Sequence, residues 1–503
     1  MKQGPLLLIV LDGYGYREKK EGNAIAHAHK PHLNNWFSMY PHTLLAASGN
    51  AVGLLPNMMG NSEAGHLALG SGRIIQQPIA KIENEIENES FFSNTTLINT
   101  LKTLPQNKQL HIMGLLSDAG VHSSMKELFA FIETAKKCGI TNIVMHPFLD
   151  GRDSPPQSAP LYLQQLDEKL KSIECGIIGS IQGRFYAMDR DHNWDRTEKS
   201  YNELTEVQPI KYSSWQEALD AYYSQGITDE FIPPTQLNHH GIIEKQDGII
   251  FFNVRPDRAR QLTEAFCNPD FTAFPTKKLS PAFFITPVDY ETDANVTILY
   301  KSSPVCNTLK EILSKNGYSI FSIAETEKYA HVTYFFSGGH EHAWPNETQV
   351  LIPSISAKNY VDHPCMSAPE ITDTVLQSLK TAPRNFYLIN YANPDMVGHS
   401  GDFDATVKSI ECLDHELKRL YDVVIEKLNG TIILVGDHGN AEEMIAATGS
   451  PKTSHTTNPV PFIVMQKDLA HTKFKLPLHA ITDVAPYILS LMGLPIPYEM
   501  KHH

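Results

Sequence analysis

Residues 5–15 read PLLLIVLDGYG, and this stretch sets the fold class of the chain. The uninterrupted apolar run that ends at Asp12-Gly13 predicts a buried strand followed by a tight turn. Strands that are apolar on both faces are typical of parallel sheets covered by helices on both sides. In open sheets of this kind, ligands bind beyond the carboxyl ends of the strands. Asp12 is therefore predicted to lie at a binding edge.

The same apolar pattern recurs along the chain and alternates with amphipathic segments. Further strands are predicted at residues 111–116, 142–148, 176–181, 248–253, 318–323, 386–391, 431–435 and 461–465. Helices are predicted at residues 124–137, 369–379, 404–428 and 480–491. This alternation predicts an α/β fold with mostly parallel sheets covered by helices.

Chain length and the placement of reactive side chains predict two domains. A chain of 503 residues is too long for one ordinary core. Candidate metal ligands lie near the start and again late in the sequence, whereas the central part is rich in arginine. We expect residues 1–76 and 309–503 to form one discontinuous domain, with residues 77–308 inserted as a second α/β domain.

Charge and hydropathy exclude several classes of partner. The formal net charge is −14, whereas nucleic acids and acidic membranes attract proteins with a positive surface. The run Leu6–Leu11 is too short for a membrane span and is not followed by a cleavage signal. No nucleic-acid or membrane partner is therefore expected.

The cysteines point to a reducing compartment. All six lie far apart without a C-x-x-C pair, which indicates neither a disulfide framework nor a zinc knuckle. We expect a cytoplasmic protein. No apolar stripe demands a protein partner, so a monomer is expected.

Three motifs near predicted strand ends carry candidate metal ligands. Asp395 and His399, four residues apart in NPDMVGH, can lie on one side of a turn. Asp437 and His438 follow a β-branched and aliphatic strand in VGDHGN, and His455 lies in SHTTNP. Each motif alone also has a purely structural interpretation, since Asp395 could cap a helix and the other two motifs could be loop residues.

Together with Asp12, these motifs supply three carboxylates and three imidazoles. A mixed oxygen and nitrogen set suits two hard or borderline divalent ions, and both manganese and zinc fit. Two such ions can clamp the attacking and departing oxygens of a phosphoryl displacement. The combination favours metal-dependent phosphoryl transfer.

Ser62 is the candidate nucleophile. It lies in GNSEAGH at the predicted start of a helix, where free N–H groups and the helix dipole favour an anion. Without a metal the residue would be only a helix cap. Coordination would activate its hydroxyl.

The central segment carries three arginine motifs, each after a predicted strand. They read DGRD at residues 150–153, QGRFYAMDR at 182–190 and NVRPDR at 253–258. Guanidinium groups bind phosphate and carboxylate oxygens in pairs, so these motifs could converge on a small acid, with Asp153 as a proton carrier. Surface ion pairs are the alternative interpretation.

These motifs, in this order along nearly the whole chain, resemble the cofactor-independent phosphoglycerate mutases of the alkaline phosphatase superfamily. Further matching runs are residues 118–123, 325–334 and 393–401. Cys365 departs from the family pattern, in which an acidic residue is typical there. The resemblance implies a discontinuous phosphatase-like domain and an inserted substrate-binding domain.

The resemblance also implies roles for individual residues. One metal would be held by Asp395, His399 and His455, and the other by Asp12, Ser62, Asp437 and His438. The implied substrate-binding residues are His122, Arg152, Asp153, Arg184, Arg190, Arg255, Arg258 and Lys328. Ser62, Asp153 and Lys328 would be catalytic, and without the resemblance Lys328 would be interpreted as part of an exposed charge run.

The expected reaction interconverts 3-phosphoglycerate and 2-phosphoglycerate, in glycolysis and gluconeogenesis, through a phosphoserine at Ser62. The expected cofactors are two divalent ions, with manganese as the first choice, and 2,3-bisphosphoglycerate is not required. One alternative is a metal-dependent phosphomonoesterase or phosphosugar mutase of the same superfamily. Another is a non-catalytic anion-binding protein whose histidines store metal.

Overall fold

The computed structural model describes residues 4–301, 304–355, 360–446, 449–472 and 474–501. The chain forms two compact units, residues 1–77 with 303–503 (unit 1) and residues 78–302 (unit 2). The segment 304–308 belongs to unit 1 by its contacts. Val305 N donates to Gly338 O at 2.7 Å, and Arg73 Nη2 donates to Cys306 O at 2.6 Å.

Strands occur throughout the described residues of both units. In chain order they are β1 (Leu6–Leu11), β2 (His42–Leu45), β3 (Leu110–Leu116), β4 (Ile143–Leu149), β5 (Ile177–Ile178), β6 (Ser180–Gly183), β7 (Thr235–Gln236), β8 (Gly248–Phe251), β9 (Phe283–Val288), β10 (Thr297–Tyr300), β11 (Ile320–Glu325), β12 (Glu347–Ile352), β13 (Phe386–Tyr391), β14 (Thr431–Gly436) and β15 (Val460–Met465).

The α-helices of the same residues alternate with these strands. They are α1 (Ala24–His27), α2 (Pro31–Met39), α3 (Ser62–Ser71), α4 (Pro78–Glu87), α5 (Thr95–Leu101), α6 (Met125–Lys137), α7 (Ala159–Ser172), α8 (Arg184–Ala187), α9 (Trp194–Thr205), α10 (Trp215–Tyr223), α11 (Arg260–Cys267), α12 (Leu309–Lys315), α13 (Ala368–Thr381), α14 (Asn393–Gly398), α15 (Phe403–Val424) and α16 (Val484–Leu491).

Unit 1 is built on a sheet with the strand order β12-β11-β13-β1-β14-β15-β2. The first five strands pair in parallel, and β15 and β2 add an antiparallel edge. Leu11 of β1 lies opposite Tyr391 of β13 and Gly436 of β14. The residues that follow these three strand ends therefore emerge at one edge of the sheet.

The two faces of β1 belong to two different cores. Leu6, Leu8 and Val10 pack in a core that includes side chains of α3, α12 and α16. Leu7, Ile9 and Leu11 pack in a second core, with side chains of α2, α13 and α15. The apolar run of β1 thus reflects burial on both faces, as predicted.

Unit 2 contains a second, mostly parallel sheet, ordered β10-β9-β8-β3-β4-β6-β7, with β5 paired to β4. Of its pairings among described residues, that of β6 with β7 is antiparallel. Helices α9 and α11 pack apolar side chains against this sheet, including Tyr201, Leu204, Leu262 and Phe266. Two helix-covered, mostly parallel sheets confirm the predicted fold class.

Most predicted elements agree closely with these bounds, but β2, β7, β9, β10 and β12 were not predicted. Strand β9 is a fully buried, mostly apolar run that the prediction overlooked. Both β2 and β12 are partly exposed edge strands without a continuous apolar run. None of the helices in the described ranges has the length and apolar character of a membrane span.

The expectation about cysteines is wrong. Cys365 and Cys412 form a disulfide across 47 residues of sequence, with their Cα atoms 5.7 Å apart. The bond joins the segment before α13 to α15, and these two helices share one core. It also removes the cysteine-based reason for expecting a reducing compartment.

Candidate functional site

Ser62 lies at the first turn of α3, and its position follows from local sequence. The Asn61 side chain caps the helix by accepting a hydrogen bond from Ala64 N at 2.8 Å. Gly60 brings the chain close to the end of β14, because a Cβ there would lie 2.8 Å from that of His438. Ser62 is 6% exposed, so its hydroxyl faces the interior of unit 1.

Three groups surround the Ser62 hydroxyl. Its Oγ donates to Asp12 Oδ1 at 3.1 Å and lies 3.0 Å from His438 Nε2. Lys328 Nζ lies 2.7 Å from the same Oγ and also donates to Asp12 and Asp395, each at 2.7 Å. Three strand ends and one helix terminus thus meet at a single hydroxyl, and Lys328 connects it to Asp395, which follows a fourth strand.

Electrostatics hold this cluster in its ionised form. Burial alone would raise the pKa of Asp12, but the Lys328 ammonium and a hydrogen bond with His438 hold it well below its usual value. Burial likewise opposes the charged form of His438, yet the nearby carboxylates, Asp437 first, raise its pKa to about 10. The same carboxylates raise the pKa of Lys328 in spite of its burial.

His399 and His455 converge on Asp395. His399 Nδ1 lies 2.7 Å from Thr453 O and His455 Nδ1 lies 2.8 Å from Gly60 O. A carbonyl oxygen only accepts, so both Nδ1 atoms carry the proton. The two Nε2 atoms are then 3.0 Å apart, and each lies 3.2 Å from Asp395 Oδ1. Acceptors aimed at one point, each oriented by a carbonyl, fit a divalent cation.

Three groups of side chains bring ligand atoms within 4.8 Å of one another. They are Asp395 with His399 and His455, Asp12 with Asp395 and His438, and Asp12 with His66 and Asp437. Among the described residues Asp437 Oδ2 is buried and accepts no hydrogen bond, with His66 Nδ1 3.2 Å away, so this oxygen is available to a ligand. This donor set of carboxylates and imidazoles suits manganese or zinc.

Two asparagines that were not predicted from the sequence hold these side chains in place. Asn390 Nδ2 donates to Asp12 Oδ2 at 2.8 Å and lies 3.0 Å from His66 Nε2. Asn440 Nδ2 donates to Asp395 Oδ1 at 2.9 Å. Asn390 could have been noticed as a polar residue in the otherwise apolar interior of β13.

Unit 2 contains a separate cluster at the ends of its own strands. Arg184 follows β6 and is almost fully buried, with Nη1 donating to Asp150 Oδ1 at 2.6 Å and to Asp153 Oδ2 at 2.5 Å. Asp153 Oδ2 also lies 3.9 Å from His122 Nε2. Asp153 is therefore held between a guanidinium and an imidazole.

One carboxylate that the sequence analysis missed, Asp257, organises three predicted residues. It accepts from Arg190 Nη1 at 2.7 Å and from Arg255 Nε at 3.1 Å, and lies 3.9 Å from His122 Nδ1. Burial and the positive charge of Arg184 lower the pKa of His122 to about 3, against the opposing effect of Asp257. His122 is thus neutral at physiological pH.

The remaining two arginines differ in their surroundings. Arg258 Nη1 donates to the backbone oxygen of Met188 at 3.1 Å. Burial first, and then the charges of Arg190 and Arg184, lower the pKa of Arg258. Arg152 is 57% exposed and pairs with Glu230 at 3.3 Å. The cluster is electropositive around Arg258.

Comparisons with known proteins point to one family. The family model described as BPG-independent PGAM N-terminus matches residues 82–292. Relatives from Desulforudis audaxviator and Clostridium perfringens, named 2,3-bisphosphoglycerate-independent phosphoglycerate mutase, are 43% and 44% identical over 99% of this chain and 98% of each relative. A crystal structure of Leishmania mexicana phosphoglycerate mutase at low cobalt concentration is similar with a TM-score of 0.77 and 28% identity. That similarity covers 100% of this chain and 97% of the Leishmania chain.

Both relatives are more than 40% identical to this chain over nearly its full length, and both carry the same name. The family-model match agrees with that name. The chain belongs to the family of 2,3-bisphosphoglycerate-independent phosphoglycerate mutases.

Proposed function

We propose that this chain interconverts 3-phosphoglycerate and 2-phosphoglycerate through a phosphoserine at Ser62, in glycolysis and gluconeogenesis. The observation that carries the proposal is the Ser62 hydroxyl held among Asp12, His438 and Lys328 at 2.7–3.1 Å. The names of the full-length relatives support the substrate. The reaction would not need 2,3-bisphosphoglycerate.

Two divalent ions, with manganese as the first choice, would bind at the ends of the unit 1 strands. Asp395, His399 and His455 would hold one ion, and Asp12, Ser62, Asp437 and His438 the other. When bound, the ions would supply Lewis-acid activation of a hydroxyl and neutralise phosphoryl charge. The convergent Nε2 atoms of the two histidines at Asp395 support this assignment.

Ser62 would act as the nucleophile. Its Oγ releases its hydroxyl proton to solvent and attacks phosphorus, the bond between phosphorus and the substrate oxygen breaks, and that oxygen takes up the proton carried by Asp153. Lys328 Nζ, 2.7 Å from Ser62 Oγ, would stabilise the negative charge that develops there. In the second half the other hydroxyl of glycerate attacks the phosphoserine, and Ser62 leaves.

The arginine cluster of unit 2 would hold the glycerate part. His122, Arg152, Arg184, Arg190, Arg255 and Arg258 offer donors for a carboxylate and hydroxyls. Asp153 would carry the proton between the two hydroxyls, a role supported by its contact with Arg184 at 2.5 Å, which keeps the carboxylate in place. We propose unit 1 as the phosphatase-like domain and unit 2 as the substrate-binding domain.

A cytoplasmic monomer is also part of the proposal. The location rests on the charged metabolite that relatives with this name act on, and not on the cysteines, because the disulfide argues against a reducing compartment. The monomer rests on the sequence, in which no apolar stripe demands a protein partner.

The proposal is tested by supplying 3-phosphoglycerate and Mn²⁺ and following 2-phosphoglycerate against free phosphate. We expect 2-phosphoglycerate to form with little phosphate release. Dominant phosphate release would support a phosphomonoesterase instead. Conversion of a phosphosugar in place of phosphoglycerate would support a phosphosugar mutase.

The nucleophile is tested with Ser62→Ala and a matched control, Ser71→Ala, in the same helix. Ser71 Oγ donates to Arg73 O at 3.0 Å and has no part in the proposed chemistry. We expect Ser62→Ala to lose turnover and the phosphoserine signal in mass spectrometry, whereas Ser71→Ala keeps both. Turnover retained by Ser62→Ala contradicts the covalent route.

A further inference from the structure

Glu442 is a fully buried carboxylate in unit 1 that the proposed chemistry does not use. It lies in the loop after β14, just beyond Asp437 and His438. Oε2 accepts from Gly15 N at 3.2 Å and from Asn440 N at 2.8 Å. Oε1 accepts from Asn458 Nδ2 at 3.0 Å and from Thr456 Oγ1. Both oxygens are therefore held by two donors each.

These donors come from three different loops, and each loop carries a proposed cation ligand. Gly15 is three residues beyond Asp12, and Asn440 is two beyond His438. Thr456 is the neighbour of His455. One carboxylate thus joins segments that are more than 400 residues apart in sequence, since Glu442 and Gly15 are separated by 427 residues.

The backbone around Glu442 is shaped to admit its carboxylate. A Cβ at Gly15 would lie 2.3 Å from Glu442 Oε2, and a Cβ at Gly439 would lie 2.4 Å from Oε1. Real Cβ atoms do not approach other atoms this closely, so any other residue type at either position would displace the Glu442 carboxylate. The two glycines allow the loops to close onto the carboxylate.

The charge of Glu442 is balanced by neutral donors alone. Within the described ranges it makes no ion pair with Lys, Arg or His, unlike its neighbour Glu443, which pairs with Arg17 and Lys452. Hydrogen bonds to an ionised acceptor are stronger than neutral ones and restrict geometry more. An exposed ion pair in place of these four hydrogen bonds would restrict the loop positions less.

We propose that Glu442 is a positioning residue that sets the cation affinity of unit 1 by locking the three ligand-bearing loops into one arrangement. The inference rests on the proposed function for the identity of the ligands. Residues that orient metal ligands typically change metal affinity about 10- to 100-fold when replaced.

The test compares Glu442→Gln with Glu443→Gln in the full-length protein. Mn²⁺ is titrated by calorimetry into chelator-treated protein. We expect Glu442→Gln to raise the dissociation constant about 10- to 100-fold, because an amide must oppose some of the four donors with its own N–H groups. Glu443→Gln should change it less than about twofold, because Glu443 forms half-buried ion pairs with Arg17 and Lys452 and shares only the Asn458 donor with Glu442. Wild-type Mn²⁺ affinity in Glu442→Gln overturns the proposal.

A second pair of variants keeps the proposal testable if Glu442→Gln does not fold. Thr456→Val removes one donor to Glu442, whereas Thr456→Ser keeps the hydroxyl. Weaker Mn²⁺ binding in Thr456→Val with recovery in Thr456→Ser supports the positioning role. Equal affinities for both variants contradict it.

Activity separates this inference from the proposed function. A wild-type protein that binds Mn²⁺ but forms no 2-phosphoglycerate contradicts the proposed reaction and leaves the role of Glu442 standing. A wild-type protein that forms 2-phosphoglycerate, with Glu442→Gln binding Mn²⁺ normally, contradicts only the role of Glu442.

Discussion

His399 and His455 each donate one hydrogen bond, and that bond determines which ring nitrogen is free to bind a cation. Because both Nδ1 atoms donate to carbonyl oxygens, both Nε2 lone pairs are directed at Asp395. The same residue types with the opposite tautomers would present N–H groups and repel a cation. The chemistry of this site thus depends on two backbone oxygens that no motif identifies.

Lys328 is a charged residue whose burial could not be expected from its neighbours in sequence. In sequence it belongs to the charged run ETEK, for which solvent exposure is the ordinary expectation. In the structure its side chain is 5% exposed and contacts two carboxylates at 2.7 Å. The short 3₁₀ turn Thr326–Lys328 at the end of β11 directs the side chain inwards.

At the level of single residues we predict that Arg258→Ala weakens substrate binding more than it slows chemistry. Loss of a charged hydrogen-bonding group is worth about 1.5–3 kcal/mol, so KM for 3-phosphoglycerate should rise about 10- to 100-fold. Steady-state kinetics measure this change. Arg260→Ala is the control, because Arg260 pairs with Glu291 and Tyr290 O. Equal KM values in the two variants would remove Arg258 from the binding site.

Among the secondary-structure elements, a row of buried polar side chains crosses strands of the unit 2 sheet. Asp247 Oδ2 lies 3.3 Å from His111 Nε2, and His111 Nδ1 lies 3.0 Å from His146 Nε2. His146 Nδ1 then lies 2.9 Å from Ser180 Oγ. All four side chains are at most 2% exposed, so the row is closed to substrate and can act only on stability.

This row predicts that β3 and β4 lose stability in mild acid. Burial first, and then the neighbouring His111, lower the pKa of His146 well below its usual value, and burial also lowers the pKa of His111. The folded state therefore binds fewer protons than the unfolded state below about pH 6.5, and stability is lost as pH falls from there. Each histidine can contribute up to about 2 kcal/mol between pH 7 and pH 5.

Native-state hydrogen exchange of the β3 and β4 amides at pH 5 and pH 7 measures this loss. His146→Gln, which cannot titrate, should show a smaller difference in opening free energy between the two pH values. A difference as large as in the wild type would mean that other groups cause the acid sensitivity.

The disulfide predicts a stability effect in unit 1. Closing a loop of this length stabilises a protein by about 2–4 kcal/mol in the chain-entropy description. Cys412→Ser should lower the free energy of unfolding of unit 1 by that amount. Urea unfolding with and without dithiothreitol measures it, and the reductant should affect the wild type but not the variant.

Cys306→Ser is the matched control for that experiment. Cys306 is an exposed free thiol, so its replacement should leave both unfolding curves unchanged. If dithiothreitol has no effect on the wild type, Cys365 and Cys412 are not joined in solution.

For the molecule as a whole, cation binding should stabilise the folded state against unfolding. A ligand at 100 times its dissociation constant adds about 2.7 kcal/mol, which for a unit of this size raises Tm by about 5–10 °C. We predict that EDTA lowers Tm by that amount and that Mn²⁺ restores it. Calorimetry measures both changes.

Comparison of His455→Gln with His340→Gln tests whether this stabilisation comes from the proposed cation site. His455 belongs to the proposed ligand set, so its variant should respond weakly to EDTA. His340 stacks on Trp344 with ring centroids 4.2 Å apart and lies outside that set, so its variant should respond as the wild type does. Equal responses of the two variants would mean that the change in Tm caused by EDTA does not arise at the proposed site.

The fold class, most strand positions and the types of ligand follow from the amino-acid sequence alone. These properties are local: an apolar run predicts a buried strand wherever it pairs, and a carboxylate directly after such a run must leave the sheet at its carboxyl end. Asp12, Asp395 and Asp437 could be found for this reason, and Ser62 because a helix start is visible in its own neighbours.

Which side chains meet depends on the folded arrangement of the chain. The disulfide partner of Cys365, the Asn390 contact to Asp12 and the bond between Gly15 and Glu442 all join residues that are far apart in the sequence. Such contacts depend on the order of strands and the packing of helices, which periodicity does not encode. A buried polar residue reveals its role only through its partners, because its environment, and not its own chemistry, sets its charge and direction.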